Sequence, residues 1–327
     1  MSRKLTIRQE KWKLAQTFTI SRGSKTEAEV VVVELEEDGR IGRGECVPYA
    51  RYKETVPGVV ETIQGFKGLI EGGGGRARIR SLMRPGAARN AVDCAVWDLE
   101  AKLTGKRAWE LAELEAPHDV VTAYTLSLDT PEKMAAAARE NAARPLLKLK
   151  LAGPEDLARV QAVHQAAPKA ALIVDANEGW SVEDYKALAP KLKDLGVKLI
   201  EQPLPADDDV ALHGVERPVP VCADESCHDL TTMRTLKGRY EAVNIKLDKS
   251  GGLTEALAMV QEARRLEFQI MVGCMVATSL AMAPAFLVAQ HAQFVDLDGP
   301  LLLAEDRPHG FQFTGSTMHP PSAELWG

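Results

Sequence analysis

Two lysines, Lys148 and Lys150, stand two residues apart in the apolar run 146–151. The period of a strand puts both ammonium groups on one face, with Leu149 on the other. On a solvated strand such a pair is ordinary surface, but in a buried strand two cations are costly without a task. Further along, Asp175 ends Leu-Ile-Val-Asp, Glu201 ends Lys-Leu-Ile-Glu and Asp224 follows Val-Pro-Val-Cys-Ala. Any one of these acids alone reads as a helix N-cap. Three of them on one rim repel one another unless a cation lies between them. An all-oxygen ligand set favours a hard ion, one Mg²⁺ per chain, over zinc. Lys246 occupies a similar place in Val-Asn-Ile-Lys-Leu, and Asp296-Leu297-Asp298 aims two more acids one way in the last run.

Together these groups suit proton transfer next to a carboxylate. A carboxylate held on Mg²⁺ has its α-proton acidified, because the ion stabilises the enediolate left by deprotonation. A free lysine is too basic to act at neutral pH, and crowding by metal, other lysines and burial is expected to lower its pKa. If Lys150 and Lys246 approach a ligand from opposite sides, one takes a proton, the other returns one, and the stereocentre inverts.

The elements that must position these groups follow from the apolar rhythm. Runs at 120–126, 146–151, 171–174, 198–200, 219–222, 243–247, 270–274 and 294–297 alternate with helical patterns such as 131–143, 154–166, 182–195 and 254–266. The spacing is that of a β-plus-α step, and eight steps predict a (β/α)₈-type TIM barrel with its site at the C-terminal ends of the strands. A doubly wound sheet would more often carry a glycine-rich first turn, and none is present. The second and sixth strands of a barrel face each other, which sets Lys150 opposite Lys246. Residues 1–115 have a different rhythm and predict an α+β capping domain. It comprises a β-branched run at 30–35, a turn at Asp38-Gly39 into 40–47, and helices over 54–70 and 87–103 with Gly105 as a stop. The barrel takes 116–327, with its tail expected to return to the cap. The four glycines at 72–75 read as a loop tip, since no Gly-Lys-Ser/Thr follows.

The bulk properties narrow the function classes. The 327 residues are 45% hydrophobic and 26% charged with net charge -6, as in ordinary globular proteins. Basic residues are scattered, so no nucleic-acid face is expected, and no apolar run is long enough for a membrane helix. The start, MSRKLTIRQEKWKL, is too interrupted by charge for a signal peptide. Five cysteines without a CxxC pair fit a reducing, cytoplasmic setting. The seven histidines show no HExxH and are given no metal role.

Lys148-x-Lys150, Asp175, Glu201-Gln202-Pro203, Asp224-Glu225-Ser226 and Lys246 with Ser250-Gly251-Gly252 together resemble the enolase superfamily, and within it the muconate-cycloisomerase-like subgroup. The resemblance runs into the cap at Ala95-x-Trp97-Asp98-Leu99. It implies an enolase-like fold, Mg²⁺ on Asp175, Glu201 and Asp224, an acid–base pair in Lys150 and Lys246, and Lys148 near the substrate carboxylate. Paired acids at 296 and 298 suit an ammonium group, and an Asp-x-Asp at this place is similar to the dipeptide epimerases, where it holds the free α-amino end. On that analogy Arg22, in the loop 20–25, supplies a cation for an acidic second residue, with Lys25 and Arg51 as rivals. The segment 48–52 forms a second capping loop, and Thr125 and Cys274 line the pocket. The implied activity is epimerisation of the C-terminal residue of a dipeptide, Ala-Glu first. An N-acylamino-acid racemase, a cycloisomerase or a barrel that binds without turnover are the alternatives, and homo-oligomers are common in this fold.

Overall fold

The computed structural model describes residues 3–153 and 155–327. Residues 1, 2 and 154 fall outside them, the last being the expected first residue of the helix over 154–166. Eight short strands pair in chain order and in parallel: Tyr124–Leu126, Leu146–Lys150, Ala171–Asp175, Val197–Glu201, Val221–Ala223, Ala242–Ile245, Gln269–Gly273 and Phe294–Asp296. The two ends of the sheet meet where the Ala123 N–H donates to the Val295 carbonyl at 2.8 Å, which curls the sheet into a barrel.

Alternation along these strands sorts the side chains. Ile173, Leu199, Cys222, Ala242 and Met271 form one small buried cluster, joined by Leu146 and Phe294. Two residues beyond these seven, on the same face of each strand, come Lys148, Asp175, Glu201, Asp224, Asn244, Gly273 and Asp296. Lys150, Lys246 and Asp298 lie two further on. An apolar plug therefore fills the bottom of the barrel, and a polar layer sits directly above it at the C-terminal ends. Leu149, Val174, Ile200, Ala223, Ile245 and Val272 belong instead to the core between the strands and the outer helices.

The run 120–126, expected as one strand, divides in two. Val120–Val121 pairs with a hairpin of the tail, Phe313–Thr314 and Thr317–Met318, and only Tyr124–Leu126 joins the barrel. The division falls at Thr122 and Ala123, both fully buried, where the chain crosses to close the barrel against Val295. Full outer helices follow the first, second, third, sixth and seventh strands: Pro131–Glu140, Asp156–Ala166, Val182–Asp194, Leu253–Arg265 and Ser279–Ala289. Single turns, Asp209–Leu212, Leu230–Met233 and Gly299–Leu302, replace helices after the fourth, fifth and eighth strands. The eight-step repeat is thus less regular than the apolar rhythm implied. No helix among the described residues is long and apolar enough to cross a membrane.

In the cap, the expected hairpin is the inner part of a three-stranded antiparallel sheet, Lys4–Ile20, Gly23–Glu37 and Arg40–Cys46. The helix expected over 54–70 is broken at Phe66 into Val56–Gly65 and Lys67–Glu71, and a further short helix, Arg76–Leu82, follows the glycines. Against the sheet packs Ala87–Thr104, ended by Gly105 in the left-handed conformation at φ 71°. The approach is close: a Cβ on Gly44 would run into the Ala91 carbonyl oxygen and come within 2.7 Å of the Ala95 nitrogen.

The tail packs on the cap. The Gly327 N–H donates to Asp98 Oδ1 at 2.7 Å, Trp326 Nε1 to the Cys94 carbonyl at 3.1 Å, and the Ala108 N–H to the Gly327 carbonyl at 3.0 Å. Buried polar ties join cap to barrel as well. The Val47 N–H and Asn90 Nδ2 both donate to Asp248 Oδ1, and Glu45 accepts from the Thr278 hydroxyl and from Arg307. Gly44→Ala is expected to destabilise the protein by about 1–3 kcal/mol through overpacking, seen as a lower midpoint in thermal unfolding. Unfolding indistinguishable from the parent would contradict the close packing of Ala87–Thr104 on the cap sheet.

Candidate active site

Register alone brings the first site residues together. Lys150 pairs beside Asp175, Asp175 beside Glu201, and Glu201 beside Cys222, two residues before Asp224. One carboxylate oxygen from each of Asp175, Glu201 and Asp224 lies within 4.8 Å of the others, and all three side chains are buried. The donor set is all oxygen, as a hard divalent cation requires. Glu201 Oε2 makes no hydrogen bond with the described residues, although the Lys148 ammonium stands 2.6 Å away. A buried carboxylate oxygen held by an ion pair but by no hydrogen bond, inside such a triad, fits a cation ligand. Asn244 Nδ2 donates to the other oxygen, Oε1, at 2.7 Å and fixes the carboxylate's rotation.

Lysines surround the triad. Lys150 Nζ is 2.6 Å from Asp175 Oδ2, and Lys246 Nζ is 2.6 Å from Asp224 Oδ2. Their strands are second and sixth of eight, so the two ammonium groups flank the carboxylates from opposite walls. Lys148, fully buried, lies between the triad and the last strand, 2.7 Å from Asp296 Oδ2 and 3.3 Å from Asp175 Oδ2. It is absent from the lining of the cavity above and instead supports the carboxylates from below. Lys249 also reaches the site, donating to Asp224 Oδ1 at 2.6 Å and to the Asn244 carbonyl at 3.0 Å.

The charges respond to this crowding. Burial and the neighbouring Asp175 push Glu201 up to about 7. Burial alone would raise Asp175 and Asp224 too, but Lys150 and Lys148 hold the first, and Lys246 and Lys249 the second, below the usual carboxylate range. Taken with the protein's own groups alone, Lys148 and Lys246 shift the other way from the lowering expected beside a bound metal. Burial lowers each, yet the carboxylates against each ammonium outweigh it and raise both.

Above the triad, barrel mouth and cap enclose a cavity of about 270 Å³. Lys150, Asp224, Lys246, Thr125, Cys274, Asp296 and Asp298 reach it from the barrel, and Arg22, Lys25, Tyr49, Arg51 and Tyr52 from the cap. Asp296 and Asp298 are both buried. The Thr125 N–H donates to Asp298 Oδ2 at 2.6 Å, and the Thr125 hydroxyl lies 3.4 Å from Asp296 Oδ1. Burial, with Asp296 alongside, raises Asp298 to about 7. Burial and the same two acids push the Cys274 thiol well up, so it lines the cavity as a neutral group.

The cap cations differ in their commitments. Arg51 makes a two-pronged bond to Glu178, at 2.7 and 2.6 Å. Arg22 reaches Glu225 Oε1 at 2.8 Å, the Tyr49 hydroxyl at 3.0 Å and the Asn177 carbonyl at 3.1 Å. Lys25 lies over the Tyr49 ring, 5.7 Å from its centre. Asn177 and Glu178, just after the third strand, take left-handed backbone at φ 46° and 67°, a turn that presents Glu178 to the cap. Tyr52 meets His228 edge to face at 4.3 Å.

Every metal and lysine candidate read from the sequence meets at this site, together with four supporting residues that carry no assigned role in the sequence reading. Asn244 was findable, being two positions before Lys246 on the same strand face. Gln202 accepts from the Asp224 and Ser226 N–H groups at 2.9 and 3.1 Å, joining two motifs that were read separately. Lys249 and Glu225 had no periodic signal, because each follows the end of its strand.

Comparisons with known proteins agree with this geometry. Residues 132–324 match the model of the enolase C-terminal domain-like family, and 2–112 match the N-terminal domain of mandelate racemase and muconate lactonizing enzyme. The chain is 47% identical to an L-Ala-D/L-Glu epimerase of Escherichia coli K12, over 97% of this chain and 99% of that protein. It is 43% identical to an N-acetyl-D-glutamate racemase of a Pseudoalteromonas species, over 91% of this chain and 95% of the other. Among solved structures, an enolase family member from Agrobacterium tumefaciens with homology to dipeptide epimerases, bound to sodium and L-Ala-L-Glu, superposes with a TM-score of 0.98 at 52% identity, covering 99% and 100% of the two chains. Cap, barrel and carboxylate triad alike are those of the enolase superfamily, to which this chain belongs.

Proposed function

We propose that this protein is a Mg²⁺-dependent dipeptide epimerase that interconverts L-Ala-L-Glu and L-Ala-D-Glu at the glutamate α-carbon. The observation that carries this reading is the pair of lysines on opposite walls, Lys150 and Lys246, each 2.6 Å from a carboxylate of a buried oxygen triad. Asp175, Glu201 and Asp224 would hold the cation. When bound, it supplies positive charge that acidifies the α-proton of a substrate carboxylate and competes with the lysines for Asp175 and Asp224. One lysine, as neutral amine, takes the α-proton from its face; the opposing ammonium returns a proton to the other face. Lys148 keeps the triad and Asp296 in place.

Asp296 and Asp298 support an amino-terminal ammonium as the far end of the substrate. Both are buried at the cavity, and two acids there oppose an uncharged acyl group in the same position. This favours a dipeptide over an N-acylated amino acid. The similarity to an N-acetyl-D-glutamate racemase supports glutamate as the inverted residue under either reading. Arg22, at the cavity's cap side, supports an acidic side chain there.

Chiral chromatography of L-Ala-L-Glu incubated with enzyme and Mg²⁺ is expected to show L-Ala-D-Glu accumulating toward equilibrium, with EDTA abolishing the conversion and Mg²⁺ restoring it. Inversion of N-acetyl-L-glutamate alone, with the dipeptide untouched, would overturn the ammonium assignment and favour the racemase. Arg22→Met is expected to raise KM for L-Ala-L-Glu about 10- to 100-fold, the worth of a charge-assisted hydrogen bond, while altering a neutral second residue far less. Equal losses for both dipeptides would remove Arg22 from side-chain recognition.

A further inference from the structure

The cavity contains a carboxylate that neither the metal site nor the ammonium site uses. Glu225 follows Asp224 at the end of the fifth strand, is only 3% exposed and lines the cavity. Its Oε1 is bonded to Arg22 Nη2 at 2.8 Å, and its Oε2 has no hydrogen-bond partner among the described residues. Asn177 presents the same picture beside it: Oδ1 is buried and unpartnered, while its carbonyl holds Arg22 Nη1 at 3.1 Å. The guanidinium proposed to read the substrate's side chain is therefore already paired, inside the cavity, with an acid of the protein's own.

We propose that Glu225 is a specificity-determining residue, an internal counter-charge that sets how strongly Arg22 draws an acidic side chain. This inference rests on the epimerase reading and on Arg22 facing the second residue. A side-chain carboxylate arriving at Arg22 meets one positive charge and, within a few Å, the negative charge of Glu225. Arg22 keeps its position through four anchors, Glu225, the Tyr49 hydroxyl, the Asn177 carbonyl and, at 3.3 Å, Glu178, but its net pull on an anion is reduced. Neutral side chains feel little of this opposition. Glu225 thus narrows the gap between acidic and neutral second residues while holding the guanidinium in place. Glu178 contributes less: its Oε2 lies 3.3 Å from Arg22 Nη1, and Arg51 holds both its oxygens more closely, at 2.7 and 2.6 Å.

Glu225→Gln removes the charge and keeps an oxygen that can accept from Arg22 Nη2. The measurement is the ratio of kcat/KM for L-Ala-L-Glu to that for L-Ala-L-Leu, in the parent and in E225Q, at saturating Mg²⁺. The neutral dipeptide is the internal control, because a disturbed metal site at the adjacent Asp224 would slow both substrates alike. The ratio is expected to rise about fivefold, the size of removing one partly screened like charge a few Å away, and the rise should shrink with added salt. A ratio that stays the same or falls would overturn the proposal and leave Glu225 as an anchor only. Should E225Q turn over neither dipeptide, the ratio of calorimetric affinities for the two decides between the same outcomes. Failure of the parent enzyme on every dipeptide would count against the epimerase reading instead.

Discussion

Three buried carboxylates within 4.8 Å of one another are the constraint on which the rest of this structure depends. Their mutual repulsion in a low-dielectric interior would keep them protonated unless positive charge were built in. Lys148, Lys150, Lys246 and Lys249 supply that charge, each 2.6 Å from a member of the triad. The same groups that make the site tolerable make it reactive. Two of the ammonium groups open onto the cavity from opposite walls, while Lys148 stays beneath it. Removing a single partner would leave an uncompensated buried charge, which costs more than the pair itself contributes.

The cap is fixed by the same logic of satisfied buried polarity. Asp248 takes the Val47 N–H and Asn90, Glu45 takes Thr278 and Arg307, and the chain terminus closes on Asp98 and Ala108. These ties carry the long hairpin of Lys4–Ile20 and Gly23–Glu37 over the barrel mouth, so that Arg22 at its turn bonds to Glu225 of the barrel. On the proposed reading, chemistry sits on rigid strands and recognition of the second residue on a cap loop. Such a division lets loop residues change the substrate while the acid–base layer stays constant.

Much of this was legible in the sequence, for a definite reason. On a barrel strand the period of two places a polar residue directly above an apolar one, so Leu-Ile-Val-Asp or Leu-Leu-Lys-Leu-Lys names its own inward groups. What stayed hidden lacked that periodicity. The strand Lys4–Ile20 is charged or exposed on most of both faces and gave no alternation to read. The run 120–126 looked continuous because apolarity does not reveal that the first two residues pair with the tail. Lys249 and Glu225 lie past strand ends, where only the fold brings them back to Asp224 and Arg22.

The central claim is that Lys150 and Lys246 serve opposite faces of one α-carbon. Its most direct test follows α-proton exchange in D₂O by NMR for Lys150→Met and Lys246→Met, each with L-Ala-L-Glu and with L-Ala-D-Glu. Each variant should lose inversion, keep the lysine of one face, and wash the α-proton out of one diastereomer only, with the two variants exchanging different ones. If both variants exchanged the same diastereomer, or either still inverted the centre, the lysines would not be an opposed acid–base pair.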